Sequence, residues 1–270
     1  MNENSRQDLK TAKSIIKNYI SEKNECIIIH YARQNFINDA YEKGPRVIAI
    51  TVMNAQSQQI RNFSLKRSSN NSFYDVPEAE QDEIEYLMLK DFFDYVDHNK
   101  EKKWFHWNME NNDFGFQAIE DRYKTLGGEP IHFNDKKTIN ISSLLEKRYG
   151  INFAKDSIWN GHHTGKMYDI FTMNKIKDEK ILNGDQEIKE YILKNITVIE
   201  QSVLEKVKSF HRILEMVANR TLKVRGNVLK DVYGLTLEGI ADYISDNKVL
   251  ALLFSIIGGI ISSAIWKMIE

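Results

Sequence analysis

The C-terminal segment "VLALLFSIIGGIISSAIWKMIE" restricts the fold more than any other part of the chain. Residues 249–266 contain no charged side chain. Eighteen residues of α-helix rise roughly 27 Å, close to the thickness of a bilayer's hydrocarbon core, about 30 Å. Lys248 precedes the segment, and Trp266 and Lys267 stand where interfacial anchors belong. We therefore expect one transmembrane helix at 248–270; the alternative is a buried helix in a soluble core.

Small residues recur along one face of this predicted helix. They are Ala251, Ser255, Gly259 and Ser263, four positions apart, with Gly258 and Ser262 widening the face. Faces of this kind let helices approach one another closely within lipid. The pattern predicts a homo-oligomer, with a tetramer preferred, whose helices line a pore; the alternative is a simple anchor.

The remainder of the chain has the composition of a globular protein. Of its 270 residues 28% are charged and 42% hydrophobic, and the net charge of −1 gives no general argument for nucleic acid. Because the N-terminal residues are polar and lack an apolar stretch, we expect no secretory signal there. The single cysteine, Cys26, lies in an apolar run, so we expect a buried thiol in a reducing compartment.

The order of predicted elements indicates an α/β domain with a mixed sheet. A short helix at 7–20 is followed by a strand in "CIIIHYARQNF", and "PRVIAITVMNAQSQQIRNFSL" predicts two strands joined by a turn. A helix in "DEIEYLMLKDFFDYVDH", a strand in "KKWFHWN" and a helix in "DFGFQAIEDRYKTLGG" then follow. Strands first, and then strand and helix in alternation, are typical of such a fold.

Three motifs carry the polar residues of this region: "IIIHYARQ", "FHWNMENNDFGF" and "GHHTGKMYDIF". With the element order, they resemble the RNase H-like fold of the DnaQ-type 3′–5′ exonucleases over roughly residues 24–175. In that family an Asp-x-Glu pair and two further Asp residues hold two divalent metals. Here His30 and Ala32 occupy the pair's positions, whereas Asp113 and Asp169 are retained. Thr164 falls at the general-base position, with His163 one residue away.

The missing carboxylates predict a domain without nuclease activity. Two metals about 3.5–4 Å apart need several carboxylates, and two Asp residues supply too little charge. We expect no cofactor, although Asp113 and Asp169 could hold one Mg²⁺ weakly or cap helices. A transition-metal site built from His30, His106, His162 and His163 matches no strong ligand motif.

The same strand ends predict a groove that binds an oligonucleotide without cleaving it. Aromatic rings stack on bases, amides hydrogen-bond to base edges, and Arg contacts phosphate. The candidate ligand-binding residues are His30, Arg33, Gln34, Trp104, His106, Trp107, Asn108, Asn111, Asn112, Asp113, Phe114, His163 and Asp169. For one of the two Trp residues, core packing is the preferred alternative.

A helical connector at 181–247 separates the sensing domain, 1–180, from the transmembrane segment, 248–270. Its apolar residues come close to a heptad repeat: Ile192, Ile196, Ile199, Val203, Val207, Phe210, Leu214 and Val217. The spacing predicts either a self-associating stalk or a long helix packed on the α/β domain.

The stretches "WFHWNMENNDFGFQAIEDRY" and "ILNGDQEIKEYI" are similar to the membrane effectors of the Hailong anti-phage defence system. The resemblance implies an oligomeric channel in the bacterial inner membrane, with its sensing domain in the cytoplasm. It also implies control by single-stranded DNA oligomers that a partner nucleotidyltransferase makes. Two alternatives remain: a membrane-anchored, metal-dependent 3′–5′ exonuclease, and a membrane scaffold without a ligand.

Overall fold

Two sheets and nine named helices make up the part of the chain that the structure, a computed structural model, describes. The described residues are 3–34, 44–66, 73–156, 158–159, 162–163, 165–176 and 179–269. The strands are β1 (Cys26–Arg33), β2 (Val47–Asn54), β3 (Ile60–Ser64), β4 (Lys103–His106), β5 (Thr138–Asn140), β6 (Ile158–Trp159) and β7 (His162–His163). The helices are α1 (Glu3–Ser21), α2 (Glu78–His98), α3 (Phe116–Thr125), α4 (Ile141–Tyr149), α5 (Gly165–Met173), α6 (Gly184–Ile192), α7 (Ile196–Ala218), α8 (Leu237–Asp246) and α9 (Lys248–Ile269).

The larger sheet is mixed and has β1 at its centre. The strand order is β3-β2-β1-β4-β5, with β1 antiparallel to β2 and parallel to β4. Because β4 and β5 are also parallel, the carboxyl ends of β1, β4 and β5 meet at one edge. Strand β1 is buried over nearly its whole length, which explains its continuous apolar run. The prediction of an α/β fold with a mixed sheet is confirmed.

Alternate residues of β1 face opposite sides of this sheet. His30 is paired with Thr51 of β2, and its ring meets Phe210 of α7 edge to face at 5.5 Å. The next residue, Tyr31, stacks on Phe114, with ring centroids 4.5 Å apart. Because side chains alternate along a strand, α7 covers the face that carries His30.

Helix α7 packs on the α/β core. Of the two structures predicted for its apolar stripe, the long helix packed on the α/β domain is therefore confirmed, and the self-associating stalk is wrong. The helix contacts β1 and β2. Its apolar stripe, including Ile199, Val203 and Phe210, is fully buried. A near-heptad stripe and a stripe that covers a sheet differ by little in spacing, and the sheet supplies the apolar partner here.

The chain divides into two compact units. One comprises residues 15–144 and 156–223 and contains the larger sheet; the other comprises residues 1–14, 145–155 and 224–270. In the second unit Leu9 packs against Val232 and Tyr233. Residues 1–14 and 145–155 therefore belong to the same unit as the C-terminal residues. The predicted division into 1–180, 181–247 and 248–270 does not contain this grouping.

Helix α9 is exposed along most of its length. Its exposed large side chains are Val249, Leu252, Leu253, Phe254, Ile256, Ile257, Ile260 and Ile261. Among the described residues, no single helix is both long and apolar enough to cross a membrane. Helices α8 and α9 reach that length and composition only as a pair, with a bend of 109° between them.

Candidate functional site

The candidate site lies where the carboxyl ends of β1 and β4 meet. Ile28 is paired with Phe105 in this parallel ladder, so His106 follows opposite Ile29 and His30 lies one residue further along β1. The two histidines are on neighbouring strands, but their side chains face opposite sides of the sheet. Both histidines are buried. Adjacent parallel strands thus bring together two positions that are 76 residues apart in the sequence.

His30 is held among aromatic rings rather than beside a metal ligand. Its ring lies 5.8 Å from that of Phe114, edge to face, and contacts Phe210 in the same manner. Burial lowers the pKa of His30 well below its usual value, and the nearby charge of Lys206 lowers it further. The imidazole is therefore neutral at pH 7, and its Nδ1 makes no hydrogen bond within the described part of the chain.

A buried ion pair supplies the positive charge near His30. The Lys206 ammonium donates to Glu187 Oε1 at 2.7 Å, and the Ser202 hydroxyl donates to the same oxygen at 3.1 Å. All three residues are buried. The carboxylate of Glu187 is thus engaged by Lys206 and Ser202.

His106 has a structural partner. Its Nδ1 accepts a hydrogen bond from the backbone N–H of Met109 at 3.1 Å, and its ring meets Phe116 edge to face at 5.2 Å. Burial lowers the pKa of His106 to about 3. The side chain is thus a neutral acceptor that shapes the turn after β4.

The loop after β4, residues 108–115, forms the outer rim of the site. Asn108 has a φ of 52°, a left-handed conformation that Asn tolerates. Its N–H donates to Asn140 Oδ1 at 3.2 Å, and its side-chain oxygen accepts from Asn140 Nδ2 at 3.2 Å. Asn140 also donates to Glu110 Oε2 at 2.7 Å, so β5 fixes the start of the loop.

The far half of the loop presents polar groups to solvent. Asn111, Asn112 and Asp113 are exposed, whereas Phe114 is half-buried. The side chain of Asn111 accepts a hydrogen bond from the Phe114 N–H, and Arg33 donates to the backbone carbonyl of Asp113. The loop and the end of β1 therefore form one continuous polar rim.

The interpretation of Trp104 and Trp107 as stacking residues is wrong. Trp104 is 2% exposed and packs edge to face on Tyr95 and Phe133. Trp107 is 6% exposed and stacks on Phe210. Both rings belong to the core, because the sheet is covered on both faces, and neither offers a free face to a base.

Several other predicted ligand contacts are also buried. Gln34 accepts a hydrogen bond from the Arg46 N–H at 3.0 Å, which extends the β1–β2 pairing. Asp169 is buried on α5, whereas Asp113 is exposed on the loop. His163 lies in β7, but its side chain, like the whole of Thr164, is outside the described residues.

The residues present do not fit the two-metal centre of a DnaQ-type exonuclease. The first carboxylate position holds a neutral, ring-packed His30, and the second holds Ala32 with no donor. Across the described ranges, no three His, Cys, Asp or Glu side chains gather into a group able to hold a metal ion.

Sequence reasoning missed the contributions of α6 and α7 to the site. Lys206 and Phe210 lie on the buried stripe of α7, at the spacing that follows Ile199 and Val203. A lysine within an apolar stripe is a visible warning of a buried ion pair. Its partner, Glu187, comes from another helix and could not be read from spacing.

Comparison with known proteins gives little further information. No protein-family model matches the sequence, and no curated protein matches it. Among solved structures, the chain is similar to the family B DNA polymerase from the hyperthermophilic archaeon Pyrobaculum calidifontis. The TM-score is 0.47 at 10% sequence identity, covering 80% of this chain and 26% of the polymerase chain. A likeness of this degree assigns neither a family nor an activity.

Proposed function

We propose that the chain is a bacterial anti-phage effector: an oligomeric membrane channel controlled by an exonuclease-like, RNase H-like domain that has no catalytic activity. The observation that carries the proposal is the exposed apolar surface of α9. The residue types at the ends of β1 and β4, where His30 and Ala32 supply no carboxylate, support its second part.

The membrane part rests on the distribution of apolar residues around α9. Leu252, Leu253 and Phe254 are consecutive and all exposed, so they point to different sides of the helix. Burying one such side chain contributes about 1.5–3 kcal/mol. A helix that is apolar all round is covered either by a protein core or by lipid, and in this chain no core surrounds α9 between 252 and 264.

The channel part rests on the small-residue face of α9. Gly258 and Gly259 have no heavy atom of the described chain within 4 Å of an added Cβ, which leaves the face open to another copy. Ser255 donates its hydroxyl to the Ala251 carbonyl at 2.8 Å, so this polar group is satisfied inside the helix, as lipid requires. In a homo-oligomer, with a tetramer preferred, the α9 helices would surround a pore across the bacterial inner membrane. The sensing domain would lie in the cytoplasm.

The sensing part rests on the polar rim. Exposed amides of Asn111 and Asn112 are suited to hydrogen bonds with base edges, and the Arg33 guanidinium is suited to phosphate. We propose a single-stranded DNA oligomer, made by a partner nucleotidyltransferase, as the ligand. With Trp104 and Trp107 buried, Phe114 is the aromatic residue of the predicted set that remains half-exposed.

The test is reconstitution of the full chain into vesicles loaded with an ion-sensitive dye. We expect ion flux whose size changes when single-stranded DNA oligomers of mixed sequence are added, and no degradation of the DNA with Mg²⁺ or Mn²⁺. Metal-dependent cleavage that is lost in Asp113→Asn would establish the exonuclease alternative. Protein that associates with vesicles but passes no ions would leave α9 as an anchor.

A further inference from the structure

Helix α8 has two chemically different sides. Its exposed apolar residues are Leu237 and, three and four positions after it, Ile240 and Ala241. Ile244 continues the same stripe. The acids Glu238, Asp242 and Asp246 recur every four residues along another side. A helix with this division is suited to a boundary between an apolar and an aqueous phase.

Helix α1 neutralises the acidic side of α8. Arg6 donates to Glu238 Oε1 at 2.7 Å and to Asp242 Oδ2 at 2.6 Å. Lys13 lies 2.5 Å from Asp246 Oδ2. The carboxylates therefore face protein cations, and the outward stripe carries no charge.

The angle between α8 and α9 is close to the right angle expected between a helix that lies on a bilayer surface and one that enters the bilayer. The two helices bend by 109°, so α8 lies flat on a bilayer when α9 enters it close to the normal. Lys248 is exposed and is the first residue of α9, at this bend. A lysine at the membrane surface can extend its ammonium to the lipid phosphates. On the side of α8 away from the membrane, Gly239 allows the close approach of Tyr233, because an added Cβ would lie 2.1 Å from the Tyr233 carbonyl oxygen.

We propose that α8 is an interfacial helix, whose Leu237, Ile240 and Ala241 stripe lies in the headgroup region of the bilayer while α1 holds its acidic side away from the lipid. The proposal rests on the proposed function, in that α9 must reach lipid. It adds a second membrane contact, which joins α1 to the base of α9. The occupant is lipid rather than one protein partner, because the stripe leads into α9, which is exposed from 252 to 264 and has no charged residue there.

Site-specific labelling tests this arrangement in the full chain. The one native cysteine, Cys26, is buried, and burial raises the pKa of its thiol to about 11, so a polarity-sensitive maleimide dye reacts at introduced cysteines. Three variants are compared: Leu237→Cys on α8, Ile257→Cys on α9, and Leu87→Cys, the 47% exposed control on α2. Each is reconstituted into vesicles of phosphatidylethanolamine and phosphatidylglycerol that carry nitroxides at the headgroup or near the end of the acyl chain.

We expect the Leu237→Cys label to shift to shorter wavelength, to lose quenching by iodide, and to be quenched more by the headgroup nitroxide than by the deep one. The Ile257→Cys label should show the opposite preference between nitroxides, and the Leu87→Cys label should stay accessible to iodide. If the Ile257→Cys label is buried in lipid but the Leu237→Cys label stays in water, α8 is not an interfacial helix. That result would leave the proposed membrane function of α9 intact.

Two other results would also overturn the proposal. Deep quenching of the Leu237→Cys label would mean that α8 crosses the bilayer together with α9. A disulfide between two copies at Leu237→Cys, without quenching by either nitroxide, would mean that a second chain covers the stripe. If the Ile257→Cys label stays aqueous, the proposed membrane function and this inference both fail.

Discussion

Lys206 and Glu187 form a buried ion pair, 2.7 Å long, on the side of the sheet that His30 faces. Each charge is compensated by the other inside the protein, so neither is left unpaired in the core. The pair also joins α6 to α7, the helix that covers this face.

Removing one member of this pair should destabilise the α/β unit strongly. Lys206→Met leaves Glu187 buried without its cation, which costs about 3–5 kcal/mol for typical buried pairs. The double variant Lys206→Met, Glu187→Leu should recover much of that loss. Urea unfolding of the detergent-solubilised chain measures this, with Lys100→Met as the control, since the exposed Lys100–Asp97 pair contributes about 0–1 kcal/mol. Equal effects of Lys206→Met and Lys100→Met would contradict the prediction.

The buried histidines should make the fold sensitive to mild acid. The folded pKa of His106, about 3, lies below its ordinary value of 6.5, and that of His30 is also lowered by burial. The unfolded state therefore binds more protons between these values, and stability falls as the pH drops below 6.5. Each such histidine contributes up to about 1.4 kcal/mol per pH unit.

The variant His106→Asn tests this assignment. Asparagine retains an acceptor for the Met109 N–H but does not titrate, so the fall in melting temperature between pH 6.5 and 4 should be shallower. The exposed His98, changed to Asn in the same way, should leave the slope unaltered. An unchanged slope in His106→Asn would show that other groups control acid unfolding.

A negative charge on the rim should weaken the proposed ligand. Asn112→Asp keeps the shape of an exposed side chain and adds a charge that repels phosphate by about 1 kcal/mol at contact distance. We expect a several-fold weaker affinity for a fluorescent single-stranded DNA oligomer at low salt, with a smaller difference at high salt. Gln56→Glu, an equivalent change after β2, should have no effect, and equal affinities for all three proteins would place the ligand elsewhere.

Crowding the small face of α9 should abolish ion flux without unfolding the protein. Nothing in the described chain lies within 4 Å of a Cβ added at Gly259, so Gly259→Leu affects contacts between copies rather than within one. Dye-loaded vesicles containing Gly259→Leu should retain their ions, whereas vesicles containing Ile260→Leu should leak as the unmodified chain does. If vesicles containing Gly259→Leu still leak ions, the small-residue face of α9 does not line the pore.

The local pattern of the chain was sufficient to predict much of the sheet. The consecutive branched residues Ile27, Ile28 and Ile29 predicted a buried strand, and β1 is one. Alternation and turn residues around Gln58 predicted two strands, which are β2 and β3. These predictions hold because burial on one or both faces of a strand determines which residue type is found at each position. A short stretch of sequence is therefore enough to recognise the strand. Short strand β5 has three residues, too few for any periodicity.

The absence of carboxylates at His30 and Ala32 could likewise be read from the sequence, because it is given by the residue types alone. Only the tertiary structure decided what surrounds these two positions. Trp104 and Trp107 are polar-rim residues by position in the sequence, yet both are buried in the core. Trp107 is covered by Phe210 of α7, about 100 residues further along the chain, whereas Trp104 is covered by Tyr95 of α2 and by Phe133. The stripe of α7 could serve a second copy or a sheet equally well, since the free energy of burial does not depend on which apolar surface provides it. The path of the chain determines that choice, and here it places the sheet beneath α7.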